Sequence, residues 1–326
     1  MQEVNQLKNR ATRAIAEKVF PGCVIGVISD GEQSTLPFGT FTYEDDSEAV
    51  QEDTIYDLAS VTKSIPLASL AAILVAEGKL SLGTLVREYI PELQNDYGAT
   101  VEDLLRYRVH GPRLSKLRRK TFEEIRTHVF EHGFSGLPGE RAYTNLPPFL
   151  LGIILERVTG EALPALSHRM LFGPLGMEKT TFFPNISDCA PTEIDERGEV
   201  RGSPHDESAY IFAKARRAVG HAGLFSTAPD LLTFLSNLVN VGHPVSYIAD
   251  AAEGGLGWEV QVPWMGQYAG AKTFGKTGYT GTCVCVDRSK NKAFVVLSNR
   301  TYPKRPADNS AINAFRRDIA DVIFGP

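Results

Sequence analysis

The sequence predicts an α+β fold. An antiparallel sheet is drawn from both ends of the chain and flanked by terminal helices, with an all-helical domain inserted between. Three observations carry this. Residues 22–29, GCVIGVIS, form a β-branched run followed by a DGEQ turn and the strand-like STLPFGTF. Near the other end, GWEVQV, AKTFGKTGYTG, TCVCVD and KAFVVLSN are strand-sized and separated by Gly, Asp, Ser and Asn turn signals. Between them lie segments with helical spacing joined by Gly/Pro loops. The expected division is a sheet domain of residues 1–58 and 250–326 and a helical domain of residues 59–249, with a cleft at the seam.

In chain order, MQEVNQLKNRATRAIAEK opens as a charged amphipathic helix without the apolar stretch of a secretory leader. That predicts a cytoplasmic chain, or one whose leader has been removed. After the first hairpin come KSIPLASLAAILVAEGKL, TVEDLLRYRV, TFEEIRTHVFEHG, LPPFLLGIILERVTG and APDLLTFLSNLVN, each with apolar residues at helical spacing. The C-terminal strands follow, and NSAINAFRRDIADVIF closes the chain as a helix with an Asn/Ser start.

Composition narrows the function. The 326 residues carry a net charge of −5, with 43% hydrophobic and 22% charged residues, which suits a soluble globular protein and argues against nucleic acid as a partner. The sequence shows no uninterrupted apolar run of about 18 residues, so no membrane span is expected. Cys23, Cys189, Cys283 and Cys285 show no C-x-x-C spacing, and Cys283 and Cys285 share a strand face, so buried reduced thiols are expected.

Three short motifs occur in order: Ser60-x-x-Lys63, Tyr143-Thr144-Asn145 and Lys276-Thr277-Gly278. A serine hydroxyl needs a base to become a nucleophile, and positions i and i+3 share a helix face, so Lys63 can reach Ser60. Lysine works as a base near neutral pH only when its pKa is lowered by burial or a second cation, and Lys276 would be that cation. Tyr143 can relay protons and Asn145 can hold Lys63 or a substrate amide. Each residue also has an ordinary use: Ser60 and Asn145 as helix caps, Tyr143 as a loop aromatic, Lys276 as a solvated strand residue. A second Ser-x-x-Lys, Ser289 and Lys292, sits in a polar turn and shows how common the bare pattern is.

With their flanks LASVTKS, PGERAYTNLPPFLLGIILERVTG, FGPLGMEKT, VGHAGLFSTAPDLLTF and GKTGYTGTCVCVD, these motifs resemble the penicillin-recognising serine hydrolases. That superfamily includes class C β-lactamases, DD-peptidases and β-lactamase-fold carboxylesterases, and the likeness covers most of residues 20–325. The resemblance implies a β-lactamase/transpeptidase-like fold and a serine acyl hydrolase using no cofactor. It implies Ser60, Lys63 and Tyr143 as catalytic residues, and Asn145, Lys276, Thr277 and Gly278 as substrate-binding residues. The N–H groups of Ser60 and Tyr279 would form the oxyanion hole. The implied substrates are β-lactams, D-amino-acid peptides or small esters. A sensor that keeps the fold without catalysis is the rival reading.

Several features depart from that pattern. Pro66 removes a helix N–H six residues after Ser60 and should kink the nucleophile helix. Where family members often carry HTSGL, this chain has RYRVHGPRLSKLRRK, with Arg106, Arg108, Arg113, Lys116, Arg118, Arg119 and Lys120 and no acid among them. That stretch reads as a solvated basic loop, or as a rim attracting anionic substrates. HVFEH sets His128 and His132 on one helix face, as in H-x-x-E-H zinc peptidases, but no third ligand announces itself, so a solvated face and no metal are expected. His221, in VGHAGLFST, reads as a structural histidine beside the cleft. Cytoplasmic relatives of the pattern often carry histidine where this chain has Lys276; lysine there favours carboxylate-bearing amides.

Overall fold

The computed structural model describes residues 2–239 and 245–326. Six strands, β1 (Gly22–Ser29), β2 (Glu32–Gly39), β3 (Glu259–Val260), β4 (Thr273–Thr277), β5 (Cys283–Asp287) and β6 (Lys292–Ser298), form one antiparallel sheet in the order β2-β1-β6-β5-β4-β3. The N-terminal hairpin therefore pairs with the last strand, with Val24 opposite Leu297 and Val27 opposite Phe294.

Side chains alternate across a strand, so a sheet buried on both faces feeds two cores. One face presents Val24, Ile28, Val284, Val286, Val295 and Leu297 to the large core beneath the helical region. The other presents Cys23, Ile25, Cys283, Cys285, Phe294 and Val296 to a smaller core closed by the terminal helices. Those helices are α1 (Gln2–Ala16), which buries Leu7, Ala11 and Ala14, and, at the chain's other end, Ser310–Phe324, which buries Ile312, Phe315, Ile319 and Ile323. Both stripes follow the i, i+3/i+4 pattern, and each fully buried Leu or Ile contributes roughly 1.5–3 kcal/mol. Phe20 meets Phe315 edge to face at 4.9 Å, joining the two ends. All four cysteines are free and buried.

The helical region contains α2 (Ser69–Ala76), α3 (Val101–Leu105), α4 (Phe122–His132), α5 (Leu146–Thr159), α6 (Glu207–Lys214), α7 (Ala228–Val239) and α8 (Ser246–Glu253), with the C-terminal helix becoming α9. Thr100 with Asp103 and Thr121 with Glu124 form capping boxes that start α3 and α4. Asp206 caps α6 by accepting from Ala209 N–H, and Gly160, at φ 71°, ends α5. The helix α7 falls inside residues 59–249 but packs on β1 and β6. It comes so close that a Cβ on Gly26 would stand 3.0 Å from Leu232.

Two expectations change here. Ser60 does not head a regular α-helix: Ala59–Lys63 is a tight 3-10 turn, Ser64–Ala68 a wider turn, and α2 begins only at Ser69. The break is at Ile65 (φ −116°, ψ 109°), immediately before Pro66, as a residue preceding proline prefers. The run Ala59–Ala76 is, by length and composition, apolar enough to cross a membrane, although Ser60, Lys63 and Ser64 interrupt it. It is 78% buried, as the central segment of the helical core.

Candidate active site

Ser60 follows a residue in a costly conformation. Ala59 has φ 46°, in the left-handed region that side chains with a Cβ avoid. Local hydrogen bonds hold it there: buried Asp57 accepts from the N–H groups of Ala59 at 2.8 Å and His205 at 2.6 Å. Thr280 Oγ1 donates to Asp57 O at 2.7 Å, and Thr282 Oγ1 to Leu58 O at 3.0 Å. The segment leading into Ser60 is thus fixed to the β4–β5 turn and to the residues before α6. Burial, opposed by those two N–H groups, pushes the Asp57 carboxyl up to about 6.

From this turn, Lys63 Nζ donates to Ser60 Oγ at 2.9 Å and to the carbonyl of His221 at 2.5 Å. Lys63 is 1% exposed. Burial holds its ammonium below the ordinary lysine range; Tyr143 and Asp206 pull upward, and the charge of Lys276 pushes further down. Tyr143 lies between the two lysines, its ring centre 5.3 Å from Lys63 Nζ and 4.5 Å from Lys276 Nζ. Tyr143 is 48% exposed, but the side chains packed around its phenol still oppose its ionisation. The two ammonium groups and a hydrogen bond from Ser60 outweigh that and lower its pKa. Tyr107 packs on Tyr143 at 5.2 Å from the other side.

Lys276 points inward from β4 with no exposed surface, 3.1 Å from Glu259 Oε1 on β3, and Trp264 Nε1 donates to the other Glu259 oxygen at 2.8 Å. Burial alone would lower the Lys276 pKa, but Tyr107, Tyr143 and Glu259 raise it above the ordinary lysine range. Lys276 thus sets a second positive charge beside Tyr143 and Lys63. Its ammonium, however, is already held by Glu259 rather than open to a substrate carboxylate.

Asn145 precedes α5 and donates to Asp206 Oδ2 at 3.1 Å, not to Lys63. Asp206 also accepts from Ser208 Oγ at 2.6 Å, and His221 Nε2 lies 3.4 Å from it. Burial works against ionisation of Asp206, but these donors and the Ala209 N–H hold its carboxyl below the usual range. His221 is fully buried in this network, and burial lowers its pKa. Beyond Thr277, the carbonyls of Gly278 and Thr282 accept from Arg316 at 2.7 and 2.8 Å, and the Tyr279 carbonyl accepts from Arg300 at 2.7 Å. Ser60, Asn145, His205, Asp206 and Tyr279 line one cavity of about 230 Å³.

The motifs therefore converge in space: Ser60, Lys63, Tyr143 and Lys276 form one contact network, with Asn145 and Tyr279 at the cavity beside it. Sequence reasoning missed Asp57, Asp206, Glu259 and Arg316. Asp206 alone left a local signal, as an N-cap before the amphipathic ESAYIFAK.

The remaining candidates lie elsewhere. Ser289 Oγ donates to Asp287 at the β5–β6 turn, while Lys292 Nζ donates to the carbonyl of Ile323 near the end of α9. His128 and His132 stack at 3.9 Å on α4, and among the described residues no group of three His, Cys, Asp or Glu side chains is disposed to hold a metal. The basic stretch is partly neutralised from outside itself: Arg106 pairs with Glu102, Arg108 with Asp103 and Arg118 with Glu207.

A family profile described as Beta-lactamase matches residues 7–317. A protein of Salmonella agona named "Putative D-alanyl-D-alanine carboxypeptidase" is 28% identical over 80% of this chain and 72% of its own length. The solved structure of a Beta-Lactamase/D-Alanine Carboxypeptidase from Pseudomonas syringae superposes with a TM-score of 0.77 at 21% identity, covering 97% of this chain and 98% of the other. EstCE1, described as a hydrolase with promiscuous acyltransferase activity, superposes with a TM-score of 0.76 at 20% identity, covering 99% and 98%.

Proposed function

Because the chain belongs to the Beta-lactamase family and is a serine acyl hydrolase, we propose that it works through an acyl-enzyme on Ser60, cleaving β-lactam or D-alanyl amide bonds and small esters. The observation that carries this reading is the 2.9 Å contact of Lys63 Nζ with Ser60 Oγ beside a tyrosine held between two lysines.

In the proposed mechanism Ser60 Oγ attacks the acyl carbon as Lys63, with Tyr143, takes its proton. The depressed Lys63 pKa favours the neutral amine this requires. Oxyanion charge falls on the N–H groups of Ser60 and Tyr279, the latter on a loop whose carbonyls are tied back by Arg300 and Arg316. Tyr143 returns the proton to the leaving group. In the second half Tyr143, its ionised form favoured by both lysines, draws a proton from water, which attacks the ester, and that proton then passes to Ser60 Oγ as the acid product leaves. Lys276 contributes charge to Tyr143, while Asn145 and Thr277 flank the acyl group and Gly278 gives the loop its close approach. The relative's name and the two solved structures support the choice of amide and ester substrates.

The test is turnover and intact mass of wild type and Ser60→Ala with a chromogenic β-lactam and a chromogenic short-chain ester. Wild type should turn over at least one of them, or gain one acyl mass, and Ser60→Ala should do neither. Wild type inert in both respects, or full activity in Ser60→Ala, overturns the reading.

A further inference from the structure

A second cavity, of about 360 Å³, opens behind the cleft between α4, α5 and the segment after α6. It is larger than the cleft cavity and of a size that takes small ligands. Its inner wall is largely apolar. Phe149 meets Phe212 edge to face at 5.5 Å and Phe122 lies 5.9 Å from Phe212, with Ile153 and Leu163 completing the lining. The rim is cationic: Arg126 and Arg217 are exposed, line the opening and make no ion pair among the described residues.

At the same cavity, Arg157 forms a two-pronged pair with Glu92. Arg217 instead lies with its guanidinium 4.8 Å from the ring centre of Phe122, presenting charge directly above the apolar wall. One acid faces the space, Glu156. It accepts from Leu163 N–H at 2.7 Å, and burial raises its pKa, opposed by that N–H and by the charge of Arg217. The floor is Val219 and Gly220, the residues just before His221, whose carbonyl holds Lys63. Gly152 lets α5 close on this floor: a Cβ there would stand 3.2 Å from Gly220 N. The cavity is thus walled off from Ser60 by the 219–221 backbone.

We propose that this cavity binds an amphipathic monoanion, a fatty carboxylate of medium length, with its chain on Phe149 and Phe212 and its carboxylate at Arg126 and Arg217. Apolar walls select a chain over inorganic phosphate, and the unpaired guanidiniums select an acid over an alcohol. Binding here is separate from turnover at Ser60.

Calorimetric titration of the full chain with octanoate and with 1-octanol tests this. Octanoate is expected to bind one to one and at least tenfold more tightly than octanol. The double variant Arg126→Glu/Arg217→Glu should weaken octanoate at least tenfold while keeping a cooperative melting transition, the lost Arg217–Phe122 contact lowering the melting temperature by only a few degrees. Ile153→Trp, which fills the cavity, should abolish binding, and Ser60→Ala should leave it intact. No saturable octanoate binding, equal binding of octanol, or octanoate affinity that survives the charge reversal overturns the proposal. Should the double variant unfold, the ratio of octanoate to octanol affinity in wild type decides alone.

Discussion

Gly278→Ala tests how closely β4 must approach the nucleophile. A Cβ built on Gly278 stands 2.4 Å from Leu58 O and 2.1 Å from Thr282 Oγ1, where real Cβ contacts essentially never fall below 3.0 Å. The hydroxyl can rotate away, but Thr282 then gives up its 3.0 Å hydrogen bond to Leu58 O. The carbonyl cannot rotate, because Leu58 N–H is bonded to Leu224 O and the next residue is held by Asp57. The strand edge and the Ser60 turn must therefore separate by at least the missing 0.6 Å, the difference between 3.0 and 2.4 Å. Misplacement of about 1 Å costs roughly 10²-fold in rate, so kcat/KM for the ester should fall between about tenfold and 10²-fold. Lost packing and one lost hydrogen bond should lower stability by about 1–3 kcal/mol. Steady-state kinetics and urea denaturation on the same preparation measure both. A folded variant with wild-type kcat/KM would show that Gly278 and the Ser60 turn do not set the reaction geometry.

Two further outcomes are expected. Tyr143→Phe should lower kcat/KM by roughly 10²–10⁴-fold, as loss of a proton-transfer group does. Because Tyr143 raises the Lys63 pKa, its removal should also move the acid limb of the pH profile to lower pH; a limb that stays or moves up would contradict the assignment of Lys63 as base. Asp57→Asn should weaken the hold on Ala59 by about 1–3 kcal/mol. With a folded pKa of about 6 against 3.8, wild type binds this proton more tightly folded than unfolded, so it loses stability as pH rises between those values. Asn cannot titrate, so the gap between wild type and variant should narrow by up to about 3 kcal/mol from pH 4 to pH 7 in urea titrations. A constant gap would show that Asp57 does not titrate in this window.

The strands were legible because each needs only its own alternation and turn signals: TCVCVD and KAFVVLSN run where their patterns place them. Ser60, Lys63, Tyr143 and Lys276 could be picked out because reactive residue types stand in a fixed order, each on an element with readable flanks. What stayed hidden depends on distant pairings. Asp57 binds His205, 148 residues away, and Lys276 meets Glu259 only because β3 and β4 lie side by side. Arg316, within FRRD of an amphipathic helix, looks like a solvated charge until β5 brings the Gly278 and Thr282 carbonyls beneath it. The irregular turn at Ser60 was half visible: Pro66 announced a break, but the left-handed Ala59 left no mark in sequence.

The strand order has a consequence for the order of events during synthesis. At about 5–20 residues per second, the β1 edge leaves the ribosome roughly 15–50 seconds before its partner β6 exists. Through that interval Cys23, Ile25 and Val27 have neither α9 nor the last strand to cover them. The nascent chain carries an unpaired apolar edge for most of its translation, which makes it a natural client for holding chaperones and a site of aggregation when translation stalls after the helical region.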